Sequence, residues 1–169
     1  MPKFLSDDDD KLVSLDSMPA EWRTAPTVTE LAAGEDWSLK VLAPFDLDTA
    51  ASDTINQRAI GEPTNTQVFG KRNATGTIDY FRYYDETGQP DPAEDVVHEA
   101  CKERGNVLYL ARREGGKPAD EDFAAGDEVS IWECEVDEVQ TPKEDGYRRG
   151  RAPLTVKRFV KSVTVAAGA

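Results

Sequence analysis

The sequence is poor in the residues that most often carry chemistry. Two cysteines, Cys101 and Cys134, and one histidine, His98, are all that 169 residues contain. The cysteines form no CxxC pair, which excludes a zinc knuckle and a disulfide framework, and both thiols are expected to be buried and reduced. His98 and Cys101 lie one helical turn apart, but no second pair has ligand spacing, and a zinc site needs about four donors. No orienting acid or oxyanion donor accompanies them as a nucleophile pair. Long apolar runs are missing too: none approaches the roughly 18 residues of a membrane span. The opening stretch, MPKFLSDDDDKLV, has no apolar centre of a secretory signal. Positive charge is scarce, with 20 Lys and Arg against 33 Asp and Glu, a net charge of -13 and a pI near 4.5. A nucleic-acid binder has the opposite balance, because it gains affinity by placing cations on phosphates.

The remaining motifs also exclude more than they assign. The carboxylate runs Asp7–Asp10 and Asp120–Asp122 lack the alternating ligands and closing Glu of a calcium loop. Gly115-Gly116-Lys117 is too short for a phosphate loop, and no helix follows it directly. No catalytic, cofactor-binding or metal-ligating residue is assigned, and the chain is read as a non-enzyme.

What is there is strand. Gly70 to Asp85 reads as a turn and a long alternating strand, with Ile78 and Tyr80 on one side and Thr77, Asp79 and Phe81 on the other. Asp36 to Ala43 alternates about Trp37, Leu39 and Val41 and predicts a half-buried strand, after a short extended Thr27 to Leu31. Asn106 to Glu114 is a third strand. Asp127 to Val139 changes its inward parity near Ile131, which predicts a bulge or a change of facing sheet. The last strand, Ala152 to Val165, shifts parity in the same way. Prolines are expected only in the arm, in loops or at element ends such as Pro92 and Pro153.

One helix is predicted, Asp91 to Gly105, with Asp91 as cap, Glu94 closing a capping box and Gly105 ending it. Phe45 to Thr66 shows no lasting period and reads as a long binding loop, with a short strand near Thr54 to Ile60 and pairing near Gln67 to Lys71. Residues 1–25 read as an extended arm, because the aspartate run resists packing while Phe4, Leu5, Leu12, Val13, Leu15 and Trp22 supply anchors to a surface. The domain is then 26–169. Arg148, Arg149, Arg151, Lys157, Arg158 and Lys161 cluster late in the chain. They are either a solvated face or a contact for an acidic region of the next copy.

The order of these segments resembles the major tail protein, or tail tube protein, of long-tailed siphovirus-like phages, of the actinobacteriophage type. The stretches that carry the resemblance are PTVTELAAGEDW (26–37), SDTIN (52–56), FGKRNATGTIDYFR (69–82), GNVLYLARR (105–113), AAGDEVSIWECEV (124–136) and GYRRGRAPLTV (146–156). The resemblance implies a mainly β, tail-tube-type sandwich or barrel with one flanking helix. It implies hexameric rings, stacked head to tail, whose strands line a conduit for DNA ejection. The loop at Phe45 to Thr66 would reach the adjacent ring. Tape measure, tail terminator and distal tail proteins are the implied partners, with DNA passing unbound and no membrane. The implied location is the virion, after assembly in the host bacterial cytoplasm. A conduit wide enough for water needs roughly 16 to 18 strands or more, beyond one such chain. An acidic bore would repel phosphates and let the duplex slide. The alternatives are a tail-terminator, head-completion or capsid-decoration protein, a small hydrolase using His98, and a monomeric ligand-binding barrel.

Overall fold

The structure, a computed structural model, describes residues 10–43, 46–57, 60, 66–143 and 145–168. The anchors Phe4 and Leu5 and parts of the Phe45 to Thr66 loop lie outside them.

The chain is mainly antiparallel β. Its strands are β1 (Lys11–Leu15), β2 (Glu35–Asp36), β3 (Asp46–Ala50), β4 (Thr54–Gln57), β5 (Thr66–Phe69), β6 (Asn73–Phe81), β7 (Val107–Arg113), β8 (Glu128–Val136) and β9 (Arg149–Thr164). Two short helices are added, α1 (Val28–Ala32) and α2 (Val96–Cys101). Seven strands form one sheet in the order β2-β1-β7-β8-β9-β6-β3, and β4 pairs only with β5.

The long β9 makes the fold. Residues 149–153 pair with β6, and residues 154–164 pair with β8. Pro153 stands where the partner changes, so this proline lies inside a strand rather than at its end. It lacks an N–H to give, and the strand crosses there from one sheet layer to the other. Gly76 permits the crossing, since a Cβ on it would meet Leu154 at 3.0 Å. The two layers face each other across a core containing Leu12, Trp37, Leu47, Ile78, Tyr80, Leu110, Trp132 and Cys134. A second core lies on the other face of β1, β7 and β8, where Val13, Ala111, Ile131 and Val163 pack with Leu31 of α1 and with Phe123.

That second core explains the parity of β8. Val129 and Ile131 face one core, Trp132, Cys134 and Val136 the other. The strand alternates without interruption and only its apolar side changes, as a change of facing sheet requires. The register shifts place the extra residues on β9, where Glu133 pairs Arg158 while Cys134 pairs Val156, and where Ser162 has φ 58.

Four expectations are corrected. Lys11–Leu15, placed in a surface arm, is a strand between β2 and β7 whose Leu12 and Val13 are each 2% exposed. Its alternation fits two cores at once, a burial the preceding charge run concealed. Thr27 to Leu31 is helical rather than extended. Thr27 accepts a hydrogen bond from the Glu30 N–H at 3.3 Å, and Glu30 accepts one from the Thr27 N–H at 2.9 Å, a capping box at T-V-T-E. A second helix therefore joins the one expected.

Residues 37–41 turn instead of forming a strand, with the Lys40 and Val41 N–H groups bonded to the Trp37 carbonyl. Buried Trp37 fixes the turn beside β1, and the Leu42 N–H and Lys40 carbonyl then bond to β6. This short segment closes the gap between the two layers. The later helix is shorter than expected, Val96–Cys101, because Asp91 caps a preceding turn by accepting from the Ala93 N–H. Asp95 occupies the helix N-cap and spends its carboxylate on Arg82 and the Tyr83 N–H instead.

Candidate assembly surfaces

His98, the one candidate for chemistry, is a packing residue. Its Nδ1 lies 2.9 Å from the Tyr80 hydroxyl. Burial, with Arg82 nearby, holds the His98 pKa below its ordinary value. Burial likewise pushes the Tyr80 hydroxyl up. The Cys101 and Cys134 thiols are pushed up to about 12 by burial, which makes them inert at neutral pH. Among the described residues no group of three or more His, Cys, Asp or Glu is disposed to hold a metal. Of the Asp7–Asp10 run, Asp10 pairs with Arg112 at 2.8 Å. The Asp120–Asp122 loop is held by Arg113, which is 2% exposed and donates to the Asp122 and Pro118 carbonyls.

The basic cluster is satisfied largely inside the chain. Arg151 grips Asp79 through two hydrogen bonds of 2.7 and 2.6 Å, Lys157 pairs with Glu135, Arg158 with Glu133 and Lys161 with Asp48. Of the two readings, a solvated face or a contact for the next copy, these cross-strand pairs favour the first. Sequence reasoning missed them because pairing across strands is invisible until the register is known.

Three surfaces remain. The first is the solvent side of β3, β6 and the first half of β9. There Asp46 faces Thr77, Asp79 faces Arg151 and Phe81 faces Arg149. Its apolar side, Leu47, Ile78, Tyr80 and Ala152, is in the core, so strict alternation leaves the other side polar. The Arg151 guanidinium holds the Asp79 carboxyl below the usual range.

The second is a set of open strand edges. Among the described residues, β3 is bonded on one side, to β6, and residues 155–161 of β9 are bonded on one side, to β8. Unpaired edges of this kind accept a further strand.

The third is a pair of apolar features at opposite ends of β6. Where β6 begins, the ladder continues through an Asp53–Lys71 bond into the β4–β5 hairpin. That hairpin exposes Ile55 at 49% and Phe69 at 83%. Where β6 ends, a groove of about 580 Å³ is lined by Leu39, Phe81, Arg82, Tyr83, Tyr84, Tyr147 and Arg148. Tyr147 meets Phe81 edge to face at 6.0 Å, and Arg82 and Arg148 both lie over Tyr84. The hairpin falls in the stretch expected to be a binding loop. The groove was not foreseen, because its residues come from three separate segments of the chain.

A family model described as phage tail tube protein matches residues 1–169. No curated protein sequence matches the chain. Among solved structures, the chain is similar to one in a cryo-EM structure of the anti-feeding prophage baseplate, 6-fold symmetrised. That match has a TM-score of 0.51 at 9% identity and covers 95% of this chain and 98% of the other. At that identity the likeness is one of fold.

Proposed function

The chain belongs to the phage tail tube protein family, and from that premise we propose that its copies join into six-membered rings that stack into the tube of a phage tail. It is a structural tail protein, hence a virion component, and its family is not enzymatic. No described helix is long and apolar enough to cross a membrane.

The observation that carries the ring is the pair of open edges on β3 and on residues 155–161 of β9. Seven strands in the main sheet cannot enclose an aqueous channel, which takes roughly 16 or more. Neighbours that supply the missing strands complete both edges and the wall together. Sixfold closure is supported by the 6-fold symmetrised assembly in which the structural neighbour sits.

The polar side of β3, β6 and β9 then lines the bore. Its paired strands carry Asp46, Asp48 and Asp79 against Arg149 and Arg151, with Lys161 paired to Asp48, so carboxylates and cations balance three to three. On a chain of net charge -13, a wall without excess positive charge releases DNA rather than holding it, and the duplex leaves the virion through it. The hairpin of one ring reaches the next. The ends of the tube meet the tape measure, tail terminator and distal tail proteins, and assembly takes place in the host bacterial cytoplasm.

Negative-stain microscopy of the purified protein tests this reading, with tubes expected. Closed single rings would favour a tail terminator instead. A reconstructed bore lined mainly by Lys and Arg would remove the conduit argument.

A further inference from the structure

Among the described residues the exposed large apolar side chains, Val107 at the start of β7 apart, fall at two ends of the molecule. Ile55, Ile60 and Phe69 belong to the hairpin region, whereas Leu39, Tyr84 and Tyr147 surround the groove. The hairpin joins the body at Asn73 and the groove lies at Phe81, the two ends of β6. Eight strand intervals separate them by about 26 Å. The hairpin also prolongs the ladder away from the groove, so no copy can fill its own groove with its own hairpin.

We infer that the groove formed by Leu39, Phe81, Tyr84 and Tyr147 is the receptor for the β4–β5 hairpin of a second copy stacked on it. The inference rests on the stacked-ring reading above and adds the surface on which the hairpin lands. Three observations select this occupant. A two-stranded hairpin is marginal in water, and this one shows apolar side chains to solvent, so it needs a partner to stay formed. The groove offers aromatic faces of matching chemistry. It also offers Arg148, exposed at the rim, whose N–H groups can reach carbonyls on an open hairpin edge.

Charge decides against the segment that precedes β1, residues 1–9. Its aspartates would meet Asp85, Glu86 and Asp145, all exposed in the loops that frame the groove. A contact between two different surfaces repeated by stacking along one axis does not close on itself but propagates in a line. Each added copy presents a fresh groove to the next.

The test is a cross-link. Phe69→Cys and Tyr147→Cys are placed in one chain, and buried Cys101 and Cys134 stay silent. Mild oxidation is expected to give a ladder of covalent multimers. The two single variants are expected to give covalent dimers only when mixed in equal amounts. A companion variant, Leu39→Asp with Tyr147→Glu, is expected to keep rings and lose tubes.

No ladder from the double variant, or normal tubes from the companion variant, overturns the groove assignment and leaves the tube reading standing. A ladder between Leu5→Cys and Tyr147→Cys in its place would assign the groove to the leading segment and overturn the proposal. A ladder without tubes upholds this contact and sinks the tube reading.

Discussion

Trp132 and Phe69 are both large aromatic residues on β-strands, and they live under opposite conditions. Trp132 is fully buried and stacks on Phe159 at 5.1 Å between the two sheet layers. Phe69 is 83% exposed on the two-stranded β4–β5 hairpin. The body spends its apolar residues on its own two cores, which is why it can stand as a subunit. The hairpin gains nothing for its own chain by exposing Ile55 and Phe69, since apolar area left in water contributes no stability. Exposed apolar side chains gathered on one element are what an interaction surface shows. On the stacking proposed above, the difference separates the part of the chain that folds from the part that joins.

Substitutions can break or sharpen that contrast. The largest effect is expected for Trp132→Ala, which empties the middle of the main core and should lower subunit stability by about 3–5 kcal/mol in urea unfolding. A loss under about 1 kcal/mol would mean that the core does not hold the body together. Gly150→Ala comes next. A Cβ there would lie 2.4 Å from the buried Tyr80 ring, and overpacking of this kind costs about 1–3 kcal/mol.

Asp79→Asn is expected to cost at most about 1 kcal/mol, because the pair with Arg151 is partly exposed and screened. Its pH dependence has a definite sign. Asp79 has a folded pKa held down by Arg151, so its stabilisation is present above the unfolded carboxylate value of about 3.9. It disappears as pH falls through the lower folded value. Acid titration of wild type against Asp79→Asn should therefore show curves that converge below about pH 4; parallel curves would refute the linkage.

The smallest effect on the subunit belongs to Phe69→Ser, within about 0.5 kcal/mol of wild type, as for surface sites generally. The same change is expected to reduce tube length and yield in micrographs. If Phe69→Ser destabilised the subunit as much as Trp132→Ala, the contrast between folding and joining regions would collapse.

The strands of the body were legible because period-two alternation survives in the residues themselves. β6, β7 and β8 stand where the pattern put them, and β4 lies inside the long loop and β5 at its end, as expected; β9 begins at Arg149 rather than Ala152, and β3 occupies part of the stretch expected to be loop. The capping box at Thr27–Glu30 is legible too, being a motif at fixed spacing, although Thr27 to Leu31 stands above as a short extended segment. Residues 37–42 misled for a different reason. Alternation of Trp37, Leu39 and Val41 fits a strand, yet Leu39 is 86% exposed while Trp37 is fully buried. A turn gives those two neighbours opposite fates. The groove had no signature at all, since Leu39, Phe81 and Tyr147 are distant in the chain and meet only by folding.

By itself the sequence determined the class and the charge: mainly β, a strongly acidic chain, and the order of segments that marks the family. Those are local or additive properties, carried by spacing and by the sum of charges. Only the tertiary structure decided that Lys11–Leu15 enters the sheet, that β8 serves two cores, and that the late cations are held by carboxylates on neighbouring strands. Alternation tells which residues share a side of a strand. Which core, which partner strand or which open water that side meets depends on long-range pairing, and that is fixed only when the whole sheet closes.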